Sequence, residues 1–143
     1  MGEIVPIAQE PLVFPDVEQA VAEFVRARPE LSGVPVGTSV PPGFDGTQRA
    51  VVLTRLGGVY LDDDRLDNAE VRLDSYGPDK PAAHAVALAV RGVLPILSAS
   101  GGTVFPDVTE LQGPCFVLDR RHSDANRYVM RYRFVALVVS RPA

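Results

Sequence analysis

The chain has 143 residues, 46% of them hydrophobic and 22% charged, which fits one globular domain near the commonest domain size. A net charge of −4 and a pI near 5.1 exclude a protein that grips nucleic-acid phosphates over its whole surface. The single cysteine, Cys115, excludes an intrachain disulfide and offers no thiolate metal cluster.

No apolar run approaches the ~20 residues of a membrane span, so no membrane partner is expected. The opening MGEIVPIAQEP lacks the basic stretch and unbroken apolar run of a secretory signal. Pro6 stands where an N-myristoylation signal takes Ser or Thr.

Residues 1–13 carry Pro6 and Pro11 with no clean period and predict an extended arm, leaving 14–143 as the domain. A helix follows: Asp16 is a good cap, Gln19 sits where a capping box wants it, and Val17, Ala20, Val21, Phe24 and Val25 form a stripe. Pro29 ends it near Ala27. Val34, Val36 and Thr38 alternate, predicting a short strand, and a Gly- and Pro-rich loop comes next. Ala50 to Leu56 is dense in β-branched residues and predicts a central strand. Gly57-Gly58 permits a turn or bulge, after which Val59 to Leu61 resume pairing. Asp62 to Asn68 reads as an acidic loop.

The stretch Glu70 to Leu94 organises the chain as strand, turn and helix. Val71, Leu73 and Ser75 alternate with Arg72, Asp74 and Tyr76, the period of a strand with one buried face. After Gly77-Pro78-Asp79 the apolar positions become Ala82, Ala85, Val86, Ala89, Val90, Val93 and Leu94, at helical spacing. Asp79 is placed to cap the first turn, Pro81 is tolerated there, and Pro95 is expected to stop the helix.

Ser98 to Gly102 predicts a flexible break. Thr103 to Leu111 and Cys115 to Leu118 read as two strands separated by Gly113-Pro114, with Pro106 suggesting an edge position. Asp119 to Asn126 is a polar loop. Arg127 to Val139 alternates Tyr128, Met130, Tyr132, Phe134, Ala136 and Val138 with Arg127, Arg131 and Arg133. Thirteen residues at ~3.3 Å each span roughly 43 Å, so this strand is expected to bend or to extend beyond its own sheet.

No catalytic set, cofactor motif or metal set assembles. There is no G-x-S-x-G nucleophile elbow. His84 falls in the polar gap of the second helix, His122 reads as a plain loop residue, and Cys115 reads as a small strand hydrophobe. Asp62, Asp63, Asp64 and Asp67 lack the glycine and terminal glutamate of an EF-hand loop. Gly57-Gly58 and Gly101-Gly102 lack the partners of a phosphate loop. The local basic set Arg120, Arg121, Arg127, Arg131 and Arg133 supports three readings. It is a solvated strand face, or a grip on DNA that the total charge disfavours, or one half of a contact between copies. In the third, Arg127, Arg131 and Arg133 meet Asp62, Asp63, Asp64 and Asp74 of another copy, a heterologous interface that can close into a ring.

Landmarks recur in a definite order. Phe14-Pro15-Asp16-Val17-Glu18 opens the first helix, Val51 to Arg55 precedes Gly57-Gly58, and Asp67 to Asp74 leads to Ser75-Tyr76-Gly77. An alanine-rich helix, Gly113-Pro114, and Asn126-Arg127-Tyr128 opening the last strand complete the series. This order resembles the tail terminator, or tail completion, proteins of long-tailed bacteriophages, related also to prophages and gene-transfer particles, over roughly residues 14–141. The resemblance implies an α/β (α+β) fold, a single mixed, mainly antiparallel β-sheet with two main helices packed on it. It further implies a non-enzymatic virion protein at the tail-neck junction, assembled in the host cytoplasm as a homo-hexameric ring. Such a ring caps the tail tube protein, halts its polymerisation and meets the head-tail connector, or stopper, protein, while DNA passes through the lumen without specific binding. A connector or stopper of the same neck, and a small α/β ligand-binding or enzymatic domain, stand as alternatives.

Overall fold

The computed structural model describes residues 10–99 and 104–140. In chain order the elements are β1 (Leu12–Val13), α1 (Val17–Arg26), β2 (Val36–Gly37), β3 (Ala50–Leu61), β4 (Leu66–Gly77), α2 (Lys80–Ala99), β5 (Asp107–Phe116), β6 (Asn126–Leu137) and β7 (Val139–Ser140). Five strands form one sheet in the order β2-β3-β4-β6-β5, and β1 pairs with β7 apart from it. Within the sheet β2 is parallel to β3 and every other pair is antiparallel. The fold is the α+β arrangement expected, a mixed, mainly antiparallel sheet with two helices. Its middle strand is β4, whereas β3, expected to be central, is flanked on its outer side only by the two residues of β2.

Both helices begin where their caps place them. The Gln19 amide donates to Asp16 Oδ1 at 3.1 Å, and the Ala82 amide to Asp79 Oδ1 at 2.8 Å, so each carboxylate satisfies one of the orphan amides of a first turn. The Gln19 side chain does not complete the capping box, because its amide donates to Glu23 one turn on. Helix α1 buries Val17, Val21, Ala22 and Val25. Helix α2 buries Ala83, Val86, Ala87, Val90, Val93, Leu94 and Leu97, while Ala85, counted on the apolar stripe, faces outward.

Pro95 does not stop α2, which continues to Ala99. The proline forfeits a hydrogen bond to the Arg91 carbonyl, but both residues lie on the exposed side. On the other side Leu94 and Leu97 anchor the last turn in the core. Packing therefore outweighs propensity. The expected break at Ser98 to Gly102 gives up Ser98 to this last turn, and residues 100–103 lie outside the described ones. Against the expectation from apolar runs, α2 has the length and mean hydropathy, 1.6, to cross a membrane. One side of it is covered by the sheet.

The β3–β4 hairpin contains the bulge that Gly57-Gly58 permits. Arg55 pairs with Val71 and Gly57 with Glu70, so Leu56 is the extra residue and the strand changes face beyond it. Gly58 has φ +117, and a Cβ there would meet the Asn68 carbonyl oxygen at 1.8 Å, so only glycine fits. Arg55 fixes the bulge from below: its guanidinium donates to Asp67 at 2.7 and 2.6 Å and to the Gly57 carbonyl at 2.9 Å. Asp67, expected in the acidic loop, is thus a strand residue only 2% exposed. The loop itself is the short turn Asp62 to Arg65.

Two expected strands around Gly113-Pro114 are one strand, β5, with register shifts at Leu111 and between Gln112 and Cys115. It lies at the sheet edge, where a proline removes no obligatory ladder bond. Cys115, expected as a small strand hydrophobe, is a residue of β5 and is exposed, on the side of the strand away from the helices. Strand β6 pairs with β4 along all of its 12 residues. Beyond it the chain leaves the sheet, and Val139 and Ser140 pair with Val13 and Leu12. Of the expected arm, residues 1–9 lie outside the described ones, and Leu12–Val13 is a strand.

Candidate functional site

Helices α1 and α2 cover one face of the sheet and leave the other open. Val71, Leu73, Met130, Tyr132 and Phe134 point to the covered face and are buried there with α1 and α2. The open face is built from the intervening positions, which the register aligns in rows: Thr54, Arg72 and Arg131; Val52, Asp74 and Val129; Ala50, Tyr76 and Arg127.

At the Gly77 end of β4, two loops rise over this open face. Phe44, from the loop after β2, packs edge-on against Tyr76 at 4.9 Å and near His122 at 5.3 Å between ring centroids. The segment between β5 and β6 carries a single 3-10 turn, Arg120–His122. Between the loops lies an open cleft of about 520 Å³, lined among others by Val52, Arg72, Asp74, Tyr76, Arg127 and the 117–122 segment.

Asp119 organises the cleft. It accepts from the Tyr76 hydroxyl at 2.7 Å and from the Arg121 amide at 3.1 Å, and its Oδ2 lies 2.8 Å from His122 Nδ1. Burial pushes its pKa up, but those hydrogen bonds and the Arg127 guanidinium prevail and hold it at about 2. Burial and the hydrogen bond to Asp119 push the Tyr76 hydroxyl well above its ordinary value, so it stays a neutral donor. Asp74, only 3% exposed, goes the other way: burial raises its pKa against the opposing pull of Arg72 and Arg127. Arg72 Nε is 3.1 Å from Asp74 Oδ1, yet among the described residues neither atom has a hydrogen bond. Arg127 Nη1 stands 3.8 Å from both carboxylates. Arg120 and Arg121 are exposed at the rim, and among the described residues they have no ion pair.

The residues singled out as an interface fall in three places on this face. Asp62, Asp63 and Asp64 are exposed in the β3–β4 turn. Arg131 and Arg133 lie midway; Arg131 Nε donates to Glu70 Oε1 of the same chain at 2.7 Å, and Arg133, opposite Glu70 in register, has no ion pair among the described residues. Asp74 and Arg127 lie in the cleft, near each other within one chain. The basic face and the acidic strand, read as partners between copies, are therefore adjacent strands of one sheet, and Asp74 and Arg131 already have partners inside it.

From the sequence His122 and Asp119 read only as parts of a polar loop, because Tyr76 and Asp119 are 43 positions apart and meet only through the fold. His84 is exposed on α2 and its ring lies tilted against Tyr128, 4.8 Å between ring centroids. Among the described residues no group of three His, Cys, Asp or Glu side chains is placed to hold a metal ion. Chemically the cleft offers guanidinium donors around two carboxylates that the chain itself partners, a surface suited to an acidic ligand.

Apolar side chains gather at the opposite end of the open face. Val59, Leu61 and Leu137 are 60%, 41% and 44% exposed beside the Asp62 to Arg65 turn, and the pairing of Leu61 with Leu66 and of Leu66 with Leu137 sets two of them in one row. Val13 and Val139, paired with each other, add exposed apolar surface, whereas the Phe14 ring lies edge-on to Tyr60 at 5.0 Å on the side of β3 that carries the helices. No protein-family model matches this chain, and no curated protein matches it.

Proposed function

We propose that this chain is a structural virion protein, the tail terminator of a long-tailed phage or related particle. Its copies form a homo-hexameric ring at the tail-neck junction. The ring caps the tail tube protein, stops its polymerisation and presents its other side to the head-tail connector or stopper, while DNA passes through the lumen without specific binding. No chemistry is assigned to it.

The observation that carries the reading is the open face of the sheet. One face is completed by the chain's own helices, whereas the other has exposed apolar side chains at one end and a cationic cleft at the other. Contiguous exposed apolar surface marks an interaction site, and two unlike patches on one molecule support a heterologous, ring-forming contact. The order of landmarks adds to it: Asp16 caps α1, Gly57-Gly58 forms the bulge, and Asn126-Arg127-Tyr128 opens the last long strand. The acidic total charge suits a lumen through which DNA must slide.

The cleft, with its shifted carboxylates, favours a second reading as a small ligand-binding or enzymatic domain. Light scattering with electron images of the purified protein, alone and mixed with tail tubes, separates the two. Six-fold rings with a mass near six times the 15.4 kDa of one chain, or six-fold caps on tube ends, are expected. A strict monomer at high concentration that also leaves tubes uncapped overturns the ring.

A further inference from the structure

We infer that the acidic β3–β4 turn of one copy seats in the cationic cleft of the next copy; this rests on the ring reading and names the contact that would build it. The two surfaces complement one another in charge. The turn presents Asp62, Asp63 and Asp64, all exposed, and the cleft rim presents Arg120 and Arg121, which have no ion pair among the described residues. The cleft's own carboxylates do not compete for those two arginines. Asp119 is occupied by Tyr76 and His122, and Asp74 lies beside Arg72 and Arg127.

The surfaces also match in their apolar parts. Val59 and Leu61 flank the turn, and Val117 and Leu118, 42% and 41% exposed, edge the cleft. An apolar contact ringed by paired charges is the ordinary composition of a protein interface. The cleft's volume, about 520 Å³, falls within the ~300–1,000 Å³ of sites that enclose a ligand, and a tight turn is a narrow object to place in it.

Direction follows from the fold. The turn precedes Leu66 and the cleft contains Tyr76, ten residues along β4, or roughly 33 Å at ~3.3 Å per residue. One copy thus offers its turn at one end and its cleft at the other. An antiparallel pair could satisfy both contacts at once only by stacking two open faces, which would strip water from Glu70, Arg72, Arg131 and Arg133, at a large desolvation cost. The head-to-tail arrangement leaves that charged middle in solvent and propagates.

Charge reversal tests the contact without touching the core. One variant carries Asp63→Lys and Asp64→Lys, and the other carries Arg120→Glu and Arg121→Glu; both pairs are exposed loop positions. Sedimentation and native mass measurement are expected to show each variant alone weakened in self-association by on the order of a hundredfold, because like charges are brought together. An equimolar mixture should recover the wild-type assembly, since each reversed turn then meets a reversed cleft and each native turn a native cleft. Added salt should weaken the wild-type contact. Wild-type rings from either variant alone, or a mixture that fails to recover, overturn the contact and leave the ring reading standing. A wild-type assembly of two copies with the same reversal and recovery overturns the ring and keeps the contact. A wild-type chain that stays monomeric at high concentration and also leaves tail tubes uncapped overturns both.

Discussion

The two faces of the sheet are made by the same long strands, alternating residue by residue, yet they are completed differently. On the covered face Leu53, Val71, Leu73, Met130 and Phe134 are fully buried under α1 and α2, and nothing outside the chain is needed. On the open face Glu70, Arg72, Arg131 and Arg133 remain part exposed, the loop over Tyr76 and Ala50 shelters only one corner, and Val59, Leu61 and Leu137 are left in solvent. Folding is thus the business of one side, and the proposed association draws on the other. Substitutions should separate accordingly.

The largest effect is expected on the covered face. Phe134→Ala removes a ring that is 0% exposed and packs near Phe105 and Tyr132, so stability should fall by about 3–5 kcal/mol. Chemical denaturation checks this, and an undiminished midpoint would mean that this face is not the core.

An intermediate effect belongs to the cleft. Asp119 is held at about 2 against an ordinary 3.8, so the folded state binds fewer protons than the unfolded one. The stability this contributes, about 2 kcal/mol, is present above about pH 4 and is lost as pH falls toward 2. Asp74 acts with the opposite sign, because its raised pKa burdens the fold above its ordinary value and protonation relieves that. Asp119→Asn should therefore be less stable at pH 7 and show a shallower loss on acidification. Denaturation curves across that range decide it; parallel curves for the two proteins would remove Asp119 from the account.

The smallest effect is expected in the charged middle of the open face. Arg131→Ala breaks an ion pair with Glu70 whose members are 42% and 32% exposed, which is worth about 0–1 kcal/mol. A loss beyond that would show that the open face carries folding energy and would blur the division between the faces.

Much of the covered side was legible in the sequence because its signals are local. Asp16 and Asp79 announce their helices by a carboxylate placed before a first turn, and the alternation of Val71 with Leu73, or of Met130 with Tyr132 and Phe134, states which face is inward. Gly57-Gly58 marked the bulge through a conformation that other residues avoid. Pro95 and Gly113-Pro114 misled for a common reason. Each breaks a backbone pattern, but one lies on the solvent side of a helix anchored by Leu94 and Leu97, and the other lies on an edge strand. Asp67 misled because its carboxylate reads as loop until Arg55 is seen to meet it. The cleft was not legible because its parts come from three separated segments. A tyrosine on β4, an aspartate after β5 and a phenylalanine after β2 have no mutual spacing to read.

The pairing of β1 with β7 has a mechanical side. Leu12 is matched with Ser140 and Val13 with Val139 in antiparallel register, so a pull applied to the two ends of the described chain bears first on the outermost of these two rungs. They open one at a time, as a zipper does, before tension reaches the 12-residue ladder between β4 and β6. Under such a pull those two rungs yield while the sheet behind them keeps its shape.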